Sequence, residues 1–336
     1  MLPINTLDPA QRKIANALRW LPHLYHMPIS LARHTYTNLD RLLGLTKLDI
    51  AKVETTSFTL EDDFNLRIRR YDDQPEQSNK PALIYFHGGG CAIGGLDSHD
   101  RFCRLMAKQS KVVVLSVDYG LGPERSFPHS IIDAISAYNL IIANAEHWQL
   151  NRDLIGVGGD SAGAYLASHI ALSYSGLTHE KLTTRALHRP AFYFLMYPMV
   201  DLRAQSDSYF QAHNSMLLTP KLMLYFRKHF MANSSVSFSD PLVSPVLFKD
   251  RLAEAFSGTP TYIMTLEHDP LKDEGIAFAN LISHSPYVTH EHIDDSMHGF
   301  IHIAKVSDRA NALCHHLADQ VKHMTQSNSE PKHHAL

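Results

Sequence analysis

One short stretch of the sequence has the composition of a nucleophile site. Residues 159–163, Gly-Asp-Ser-Ala-Gly, fit the pattern G-x-S-x-G, in which the serine lies on a sharp turn between a strand and a helix. The apolar residues 154–157 before it predict the strand, and the residues from Ala162 onward predict the helix. Because short patterns also match ordinary glycine-rich turns, these flanking elements decide the interpretation in favour of a nucleophilic Ser161.

A serine hydroxyl needs a base and an acid that orients the base, and in enzymes with this turn the order along the chain is serine, acid, histidine. Asp269 follows the predicted strand 261–266 and would emerge at the carboxyl edge of the sheet, where Ser161 also emerges. Asp273 and Glu267 are rival acids. Asp273 fits a helix cap better and Glu267 falls where the strand still runs, so Asp269 is the predicted acid.

The predicted base is His298. It follows the last predicted strand, 288–293, and Gly299 beside it permits a tight loop. The chain has 23 histidines, most of which must have packing or surface roles. The position of His298 after a terminal core strand distinguishes it from the others.

A glycine run follows another predicted strand, 82–86. Residues 87–90 read His-Gly-Gly-Gly, and backbone N–H groups in such a loop can surround a developing oxyanion. We expect the N–H groups of Gly88, Gly89 and Ala162 to be the donors. A flexible glycine turn with phosphate affinity is the alternative, but no lysine and Ser/Thr follow as in a P-loop.

Strands and helices alternate along most of the chain, which predicts a mostly parallel sheet flanked by helices. Residues 1–50 predict an N-terminal helical cap segment that is either a lid or a packing arm. Residues 51–325 predict the catalytic domain, with a cap insertion at about 201–258 that has a helical pattern at 219–230. Residues 326–336 predict a polar tail.

Composition restricts the partners and the compartment. The 336 residues are 44% hydrophobic, enough for a large core, and the formal net charge of −3 gives no general attraction to nucleic acid or anionic membrane. No export signal and no run of about 18 apolar residues is present. Three scattered cysteines fit a reducing cytoplasm. We therefore expect a cytoplasmic enzyme acting on a small substrate, with a homodimer left open.

These motifs together resemble the hormone-sensitive-lipase-like family of α/β-hydrolase carboxylesterases, and within it the bacterial acetyl esterases. The resemblance runs from about Lys80 to Thr325. It rests on four motifs and on residues 118–128, a stretch that begins with Asp118-Tyr119 and ends with Phe127-Pro128. The four motifs are His87 to Gly90, Gly159 to Gly163, Asp269 to Asp273 and His298 to Phe300.

The resemblance implies an α/β-hydrolase fold with a helical cap, no metal or organic cofactor, and hydrolysis of small acyl esters by water. It also implies the roles of oxyanion loop, nucleophile, acid and base for the four motifs. Cys91 stands where the family usually has a bulky aromatic residue, which leaves the size of the substrate open. Gly120 and Gly122 also replace larger residues of the family.

Two other functions are weighed against this one. A metal-dependent hydrolase is suggested by His290 and His292 at strand spacing and by His298 and His302 at helical spacing, but no acidic or cysteine ligand completes a recognisable set. A non-catalytic binder on the same scaffold, such as the plant gibberellin receptor, has lost the histidine that is present here as His298.

Overall fold

An eight-stranded sheet lies at the centre of the computed structural model, which describes residues 4–177, 182, 184–212, 216–283 and 286–329. The strands are β1 (Lys52–Thr59), β2 (Asn65–Asp72), β3 (Lys80–Phe86), β4 (Val113–Asp118), β5 (Leu150–Asp160), β6 (Tyr193–Met196), β7 (Thr261–His268) and β8 (Val288–Met297). Their order in the sheet is β1-β2-β4-β3-β5-β6-β7-β8. β2 pairs antiparallel with β1 and β4, and the strands from β4 to β8 in that order pair in parallel.

The helices of the described residues are α1 (Pro9–Leu18), α2 (Ile29–Leu43), α3 (Asp100–Ser110), α4 (His129–Ala143), α5 (Ala162–Tyr174), α6 (Asp207–Gln211), α7 (Pro220–Phe230), α8 (Arg251–Phe256), α9 (Lys272–Ile282) and α10 (Asp308–Ser329). The predicted alternation of strands and helices is confirmed. Helices α6 to α8 lie in the chain between β6 and β7, where the cap insertion is predicted.

Side chains of the central strands alternate between two buried clusters, one on each face of the sheet. Ile84 and Leu115 face the cluster that contains α4 and α5. Leu83 and Val114 face the cluster that contains α3 and α10. Strands buried on both faces explain why the sequence shows continuous apolar runs rather than alternation.

Several boundaries differ from the predicted ones. The edge strand β8 and the central strand β5 are longer than predicted, because their ends continue to pair with neighbouring strands. The predicted polar tail begins inside α10, which continues through Ser329. The rest of that tail, 330–336, lies outside the described residues.

We predict that Gly163→Ala destabilises the protein by about 3 kcal/mol or more, because the new methyl group would lie 1.8 Å from the carbonyl oxygen of Phe86. Gly275→Ala in α9 is the matched control. Its methyl group would meet only the Thr265 side chain, at 3.0 Å, and alanine favours a helix. Urea unfolding measures both free energies. Equal losses in the two variants would contradict the close approach at Gly163.

Candidate active site

Ser161 lies between the end of β5 and the start of α5, with φ of +54° and ψ of −114°. A non-glycine residue rarely adopts a positive φ, so the surrounding chain must hold it there. The turn needs glycine at positions 159 and 163, because a Cβ there would lie 2.1 and 1.8 Å, respectively, from the carbonyl oxygen of Phe86. The Ser161 N–H donates to the carbonyl oxygen of Met196 at 2.9 Å, which fixes the turn to β6.

Asp269 and His298 meet where β7 and β8 end. The Asp269 Oδ2 lies 2.7 Å from the His298 Nδ1, and both side chains are buried. The other carboxylate oxygen of Asp269 accepts the N–H of Leu271 at 2.8 Å, and the His298 ring packs on Tyr197 with centroids 4.6 Å apart. The carboxylate can therefore orient the imidazole and fix its tautomer.

The two rival acids have other partners. Asp273 Oδ2 accepts the backbone N–H of Ser208 at 2.6 Å in the first turn of α9. Glu267 contacts Lys272 and His292, each at 3.1 Å. Of these three carboxylates, the structure places only Asp269 against His298.

One cavity brings the predicted residues together. Ser161, His298 and Gly89 line it, and most of the other lining is apolar. Most of the apolar wall comes from the N-terminal segment and from the segment before and within α7, and Ile93 adds to it. It consists of Leu18, Leu21, Pro22, Leu24, Leu39, Ile93, Met216, Leu217, Leu218, Leu222 and Phe226. A neutral, hydrophobic ester fits this lining better than a charged substrate.

The prediction that Gly88 is an oxyanion donor is wrong. Its N–H donates to the buried Asp160 Oδ1 at 2.8 Å, and a buried carboxylate holds such a donor strongly. Gly89 and Gly90, at φ of +113° and +61°, have N–H groups with no acceptor in the described part of the chain. The Ala162 N–H is equally free, because it opens α5. Among the described residues, the N–H groups of Gly89, Gly90 and Ala162 are therefore available as donors.

His87 packs against this loop and contacts its backbone. It is buried, stacks on Tyr119 with ring centroids 4.4 Å apart, and contacts the Gly88 carbonyl oxygen at 2.8 Å through its Nδ1. Burial, together with the neighbouring His99, lowers the pKa of His87 to about 4. His87 is therefore neutral near pH 7, which suits a structural position rather than proton transfer.

Asp160 is the residue of this site that sequence reasoning missed. Besides Gly88, it accepts the hydroxyl of Tyr85 at 2.6 Å, and its Oδ1 lies 3.3 Å from the His99 Nε2. Burial alone would raise the pKa of Asp160, but His99 and these hydrogen bonds hold it below its usual range. No local pattern marked this role, because Asp160 occupies the variable position of G-x-S-x-G.

The histidines of the metal hypothesis do not form one cluster. His290 and His292 on β8 both contact the hydroxyl of Thr265 on β7, at 2.9 and 2.8 Å. His298 pairs with Asp269 instead. Among the described residues, one group of three possible ligands occurs, His99, Asp160 and His302.

Hydrogen bonds already use most ligand atoms of that group. Tyr85 and Gly88 donate to Asp160 Oδ1, and both nitrogens of His302 contact side chains of α2. These residues fit a hydrogen-bond network better than a metal cradle, since a metal needs free lone pairs.

The three departures from the family pattern have packing neighbours. Cys91 is fully buried, and burial raises the pKa of its thiol to about 12. Gly90 precedes Cys91 in the chain, and the ring of Phe226 on α7 packs against it. A Cβ on Gly90 would lie within 2.5 Å of that ring. A Cβ on Gly122 would lie 2.3 Å from the His229 carbonyl oxygen at the end of α7, and one on Gly120 would meet Arg125 at 2.4 Å. A small residue therefore lets α7 approach at Gly90 and Gly122.

Comparison with known proteins agrees with this geometry. A family model described as the alpha/beta hydrolase fold matches residues 83–302. The chain belongs to this family. The resemblance to the hormone-sensitive-lipase-like esterases that the sequence indicates is confirmed, as is the α/β-hydrolase fold.

Two of the relatives carry names of ester hydrolases. The carboxylic ester hydrolase LipN of Mycobacterium tuberculosis is 33% identical over 226 residues, 66% of this chain and 58% of LipN. The ethyl acetate hydrolase of Pseudomonas putida is 30% identical over 251 residues, 71% of this chain and 75% of that protein. The match to LipN thus spans somewhat more than half of that relative.

Solved structures superpose over almost the whole chain. An ester hydrolase from the metagenome of Lake Arreo has a TM-score of 0.83 at 28% identity and covers 94% of this chain and 98% of its own. The esterase of Pyrobaculum calidifontis has a TM-score of 0.80 at 25% identity and covers 95% of this chain and 99% of its own. Among the residues that the structure describes, no helix combines the length and the apolar character that a bilayer span requires.

Acid should destabilise this α/β-hydrolase through a histidine behind the nucleophile. His169 on α5 is fully buried, and burial lowers its pKa from 6.5 to about 3. Below pH 6.5 the unfolded chain binds a proton that the folded chain does not, so stability falls as pH decreases, by up to about 1.4 kcal/mol per pH unit. His169→Phe should reduce this loss between about pH 6 and about pH 4, as measured by urea unfolding at several pH values.

The exposed His34 supplies the control. His34→Gln should leave the pH dependence of the free energy of unfolding as it is in the unmodified protein. If His169→Phe has the same dependence as His34→Gln, the buried histidine does not carry the effect.

Proposed function

We propose that the protein is a serine carboxylesterase that hydrolyses short-chain acyl esters through an acyl-enzyme on Ser161. The coarser class, carboxylic ester hydrolase, follows from the family and from relatives that carry that name. The observation that carries the proposal is the contact of Asp269 Oδ2 with His298 Nδ1 at 2.7 Å, in a cavity that Ser161 and His298 both line.

The chemistry follows from this arrangement. Neutral His298, oriented by Asp269, accepts the proton as the Ser161 Oγ attacks the ester carbonyl carbon. The tetrahedral oxyanion is stabilised by the N–H groups of Gly89, Gly90 and Ala162, with the N-terminus of α5 adding its dipole.

The intermediate then collapses. The C–O bond to the alcohol breaks, and His298 returns the proton to the departing alcohol oxygen. Water enters, loses a proton to His298 and attacks the acyl carbon. The bond from that carbon to Ser161 Oγ then breaks, the acid leaves, and His298 returns the proton to Oγ. The non-catalytic alternative has no support from the residues present, since both His298 and Asp269 are in place.

The preference for short acyl groups rests on two supports. The Pseudomonas putida relative is named for its action on ethyl acetate. Phe226 packs against Gly90, so a bulky ring borders the loop that would hold the carbonyl oxygen. The apolar lining suits a neutral acyl and alcohol part of limited size.

Ser161→Ala should lower kcat for p-nitrophenyl acetate by at least about 10⁴, because the nucleophile is removed while the fold is kept. Asp269→Asn should lower kcat by about 10⁴ as well, because the imidazole loses its orientation. Steady-state rates measure both changes, and far-ultraviolet circular dichroism tests the fold. Asp273→Asn, at a carboxylate away from His298, is the control and should retain the rate. A serine variant with most of its activity left would refute the proposal.

The acyl preference is tested separately with p-nitrophenyl esters that run from acetate to long acyl chains. We expect kcat/KM to be highest for the short chains and to fall as the chain lengthens. An optimum at long acyl chains would contradict the short-chain preference and would leave the role of Ser161 intact.

A further inference from the structure

Helix α2 of the N-terminal segment carries three polar side chains on one face. Arg33, Tyr36 and Asp40 are spaced three and four residues apart, the spacing of neighbours on a helix surface. We propose that this face positions two loops of the active site relative to Ser161. One is the oxyanion loop, residues 87–92, and the other is the base loop, residues 298–302. This inference rests on the proposed function, because it assigns the loops their catalytic work.

Arg33 contacts the end of the oxyanion loop. Its Nε donates to the carbonyl oxygen of Ala92 at 2.9 Å, and its Nη2 donates to the carbonyl oxygen of Gly122 at 2.8 Å. Glu124 binds the same guanidinium through both carboxylate oxygens, at 3.1 and 2.7 Å. A guanidinium fixed in its plane by a carboxylate holds both carbonyls in one orientation, which a lysine could not do.

Tyr36 and Asp40 hold the base loop through His302. The Tyr36 hydroxyl lies 2.6 Å from the His302 Nε2, and the Asp40 Oδ1 lies 3.0 Å from the His302 Nδ1. Both ring nitrogens are thus bound by side chains one helical turn apart on α2. The His302 side chain and Asp40 are buried, so water does not compete for these hydrogen bonds.

His302 follows His298 by four residues, and only a short turn separates them. Gly299 lies in the left-handed region at φ of +76°, and residues 300–303 form a single 3₁₀ turn that carries His302. Fixing the His302 ring therefore restrains the path of the chain at His298. Tyr36 and His302 also line the cavity that Ser161 and His298 line, so α2 borders the space that would hold the substrate.

Further side chains surround His302. His99 lies edge-on to the His302 ring with centroids 4.9 Å apart, and Asp160 lies within the same cluster. The Arg101 guanidinium lies 3.7 Å from Asp40 Oδ2. Asp160 also accepts the Gly88 N–H. The cluster of His99, Asp160 and His302 therefore lies between the base loop and the oxyanion loop.

A positioning role differs from ordinary packing in what a variant loses. If α2 only packs against the domain, removing the Tyr36 hydroxyl lowers stability and leaves the turnover of each folded molecule unchanged. If α2 positions the loops, a displacement of His298 or of the N–H donors lowers kcat, because misplacement of about 1 Å costs about 10²-fold. Substrate binding, which depends on the apolar wall, changes little.

The experiment compares Tyr36→Phe with Tyr225→Phe. Tyr225 on α7 is also half-buried and donates its hydroxyl to a cap residue, the carbonyl oxygen of Met27 at 3.0 Å. Its ring contacts are with Phe226 and His229, so neither these nor this hydrogen bond reaches the base loop. The full-length variants are titrated with a fluorophosphonate to count active serines. Then kcat and KM for p-nitrophenyl acetate, the rate of fluorophosphonate labelling and Tm are measured.

We expect Tyr36→Phe to lower kcat per labelled serine and the labelling rate about tenfold, with KM within about twofold, and Tyr225→Phe to change neither rate. Asp40→Asn should give a similar loss. Since both residues act through His302, the double variant Tyr36→Phe/Asp40→Asn should lose less than the product of the two single losses. Arg33→Met should lower the same two rates, because it frees the oxyanion loop.

The inference is overturned if Tyr36→Phe keeps the rates per labelled serine and lowers only Tm, or if Tyr225→Phe loses as much rate as Tyr36→Phe. The proposed function fails differently. In that case, the unmodified protein is not labelled at Ser161 and does not turn over the ester. A protein that is active and loses activity in Ser161→Ala, but has an unaffected Tyr36→Phe variant, retains the function and excludes the positioning role.

Discussion

The close approach of α5 to the end of β3 is the constraint on which this active site depends. The Phe86 carbonyl oxygen fills the space where side chains at positions 159 and 163 would begin, so both must be glycine. That contact, with the hydrogen bond from Ser161 N–H to β6, holds Ser161 in its left-handed conformation. The oxyanion loop starts at the next residue after Phe86. Ser161 and the oxyanion loop therefore start from one junction of two parallel strands.

Beneath this junction, buried charge is balanced by hydrogen bonds. Asp160 is deeply buried, yet it accepts from Tyr85 and Gly88 and lies beside His99, so its charge is compensated. One consequence is that the first glycine of the glycine run serves the fold, and the following two keep free N–H groups. His87, neutral and stacked on Tyr119, gives the loop a rigid base.

The N-terminal helices contribute more than a wall to the cavity. Apolar residues of this segment line the space above Ser161, while the polar face of α2 contacts both loops that carry catalytic groups. The sequence left the segment as either a lid or a packing arm. In the structure, Arg33 and Tyr36 hydrogen-bond the segment to backbone and side-chain atoms around the site. Phe226 on α7 lines the opposite side of the cavity. Its ring can pack there because Gly90 has no side chain.

The sequence by itself determined the strands and helices, and which residues with possible catalytic side chains follow the strands. Continuous apolar runs marked the strands, and glycines around Ser161 marked the turn. The order of Ser161, Asp269 and His298 predicted the site, in which Asp269 contacts His298, and His298 shares a cavity with Ser161. The strand and turn signals are local, because each follows from the residue types within a few positions, and the chain order adds which of them belong together. Tertiary structure alone decided which amides stay free and what holds the loops. Gly88 and Gly89 are alike in sequence, and only the carboxylate of Asp160, 72 residues away in the chain, separates them. Likewise, Tyr36 and His302 are 266 residues apart, and their contact exists only once the folded sheet brings both ends of the chain to one edge.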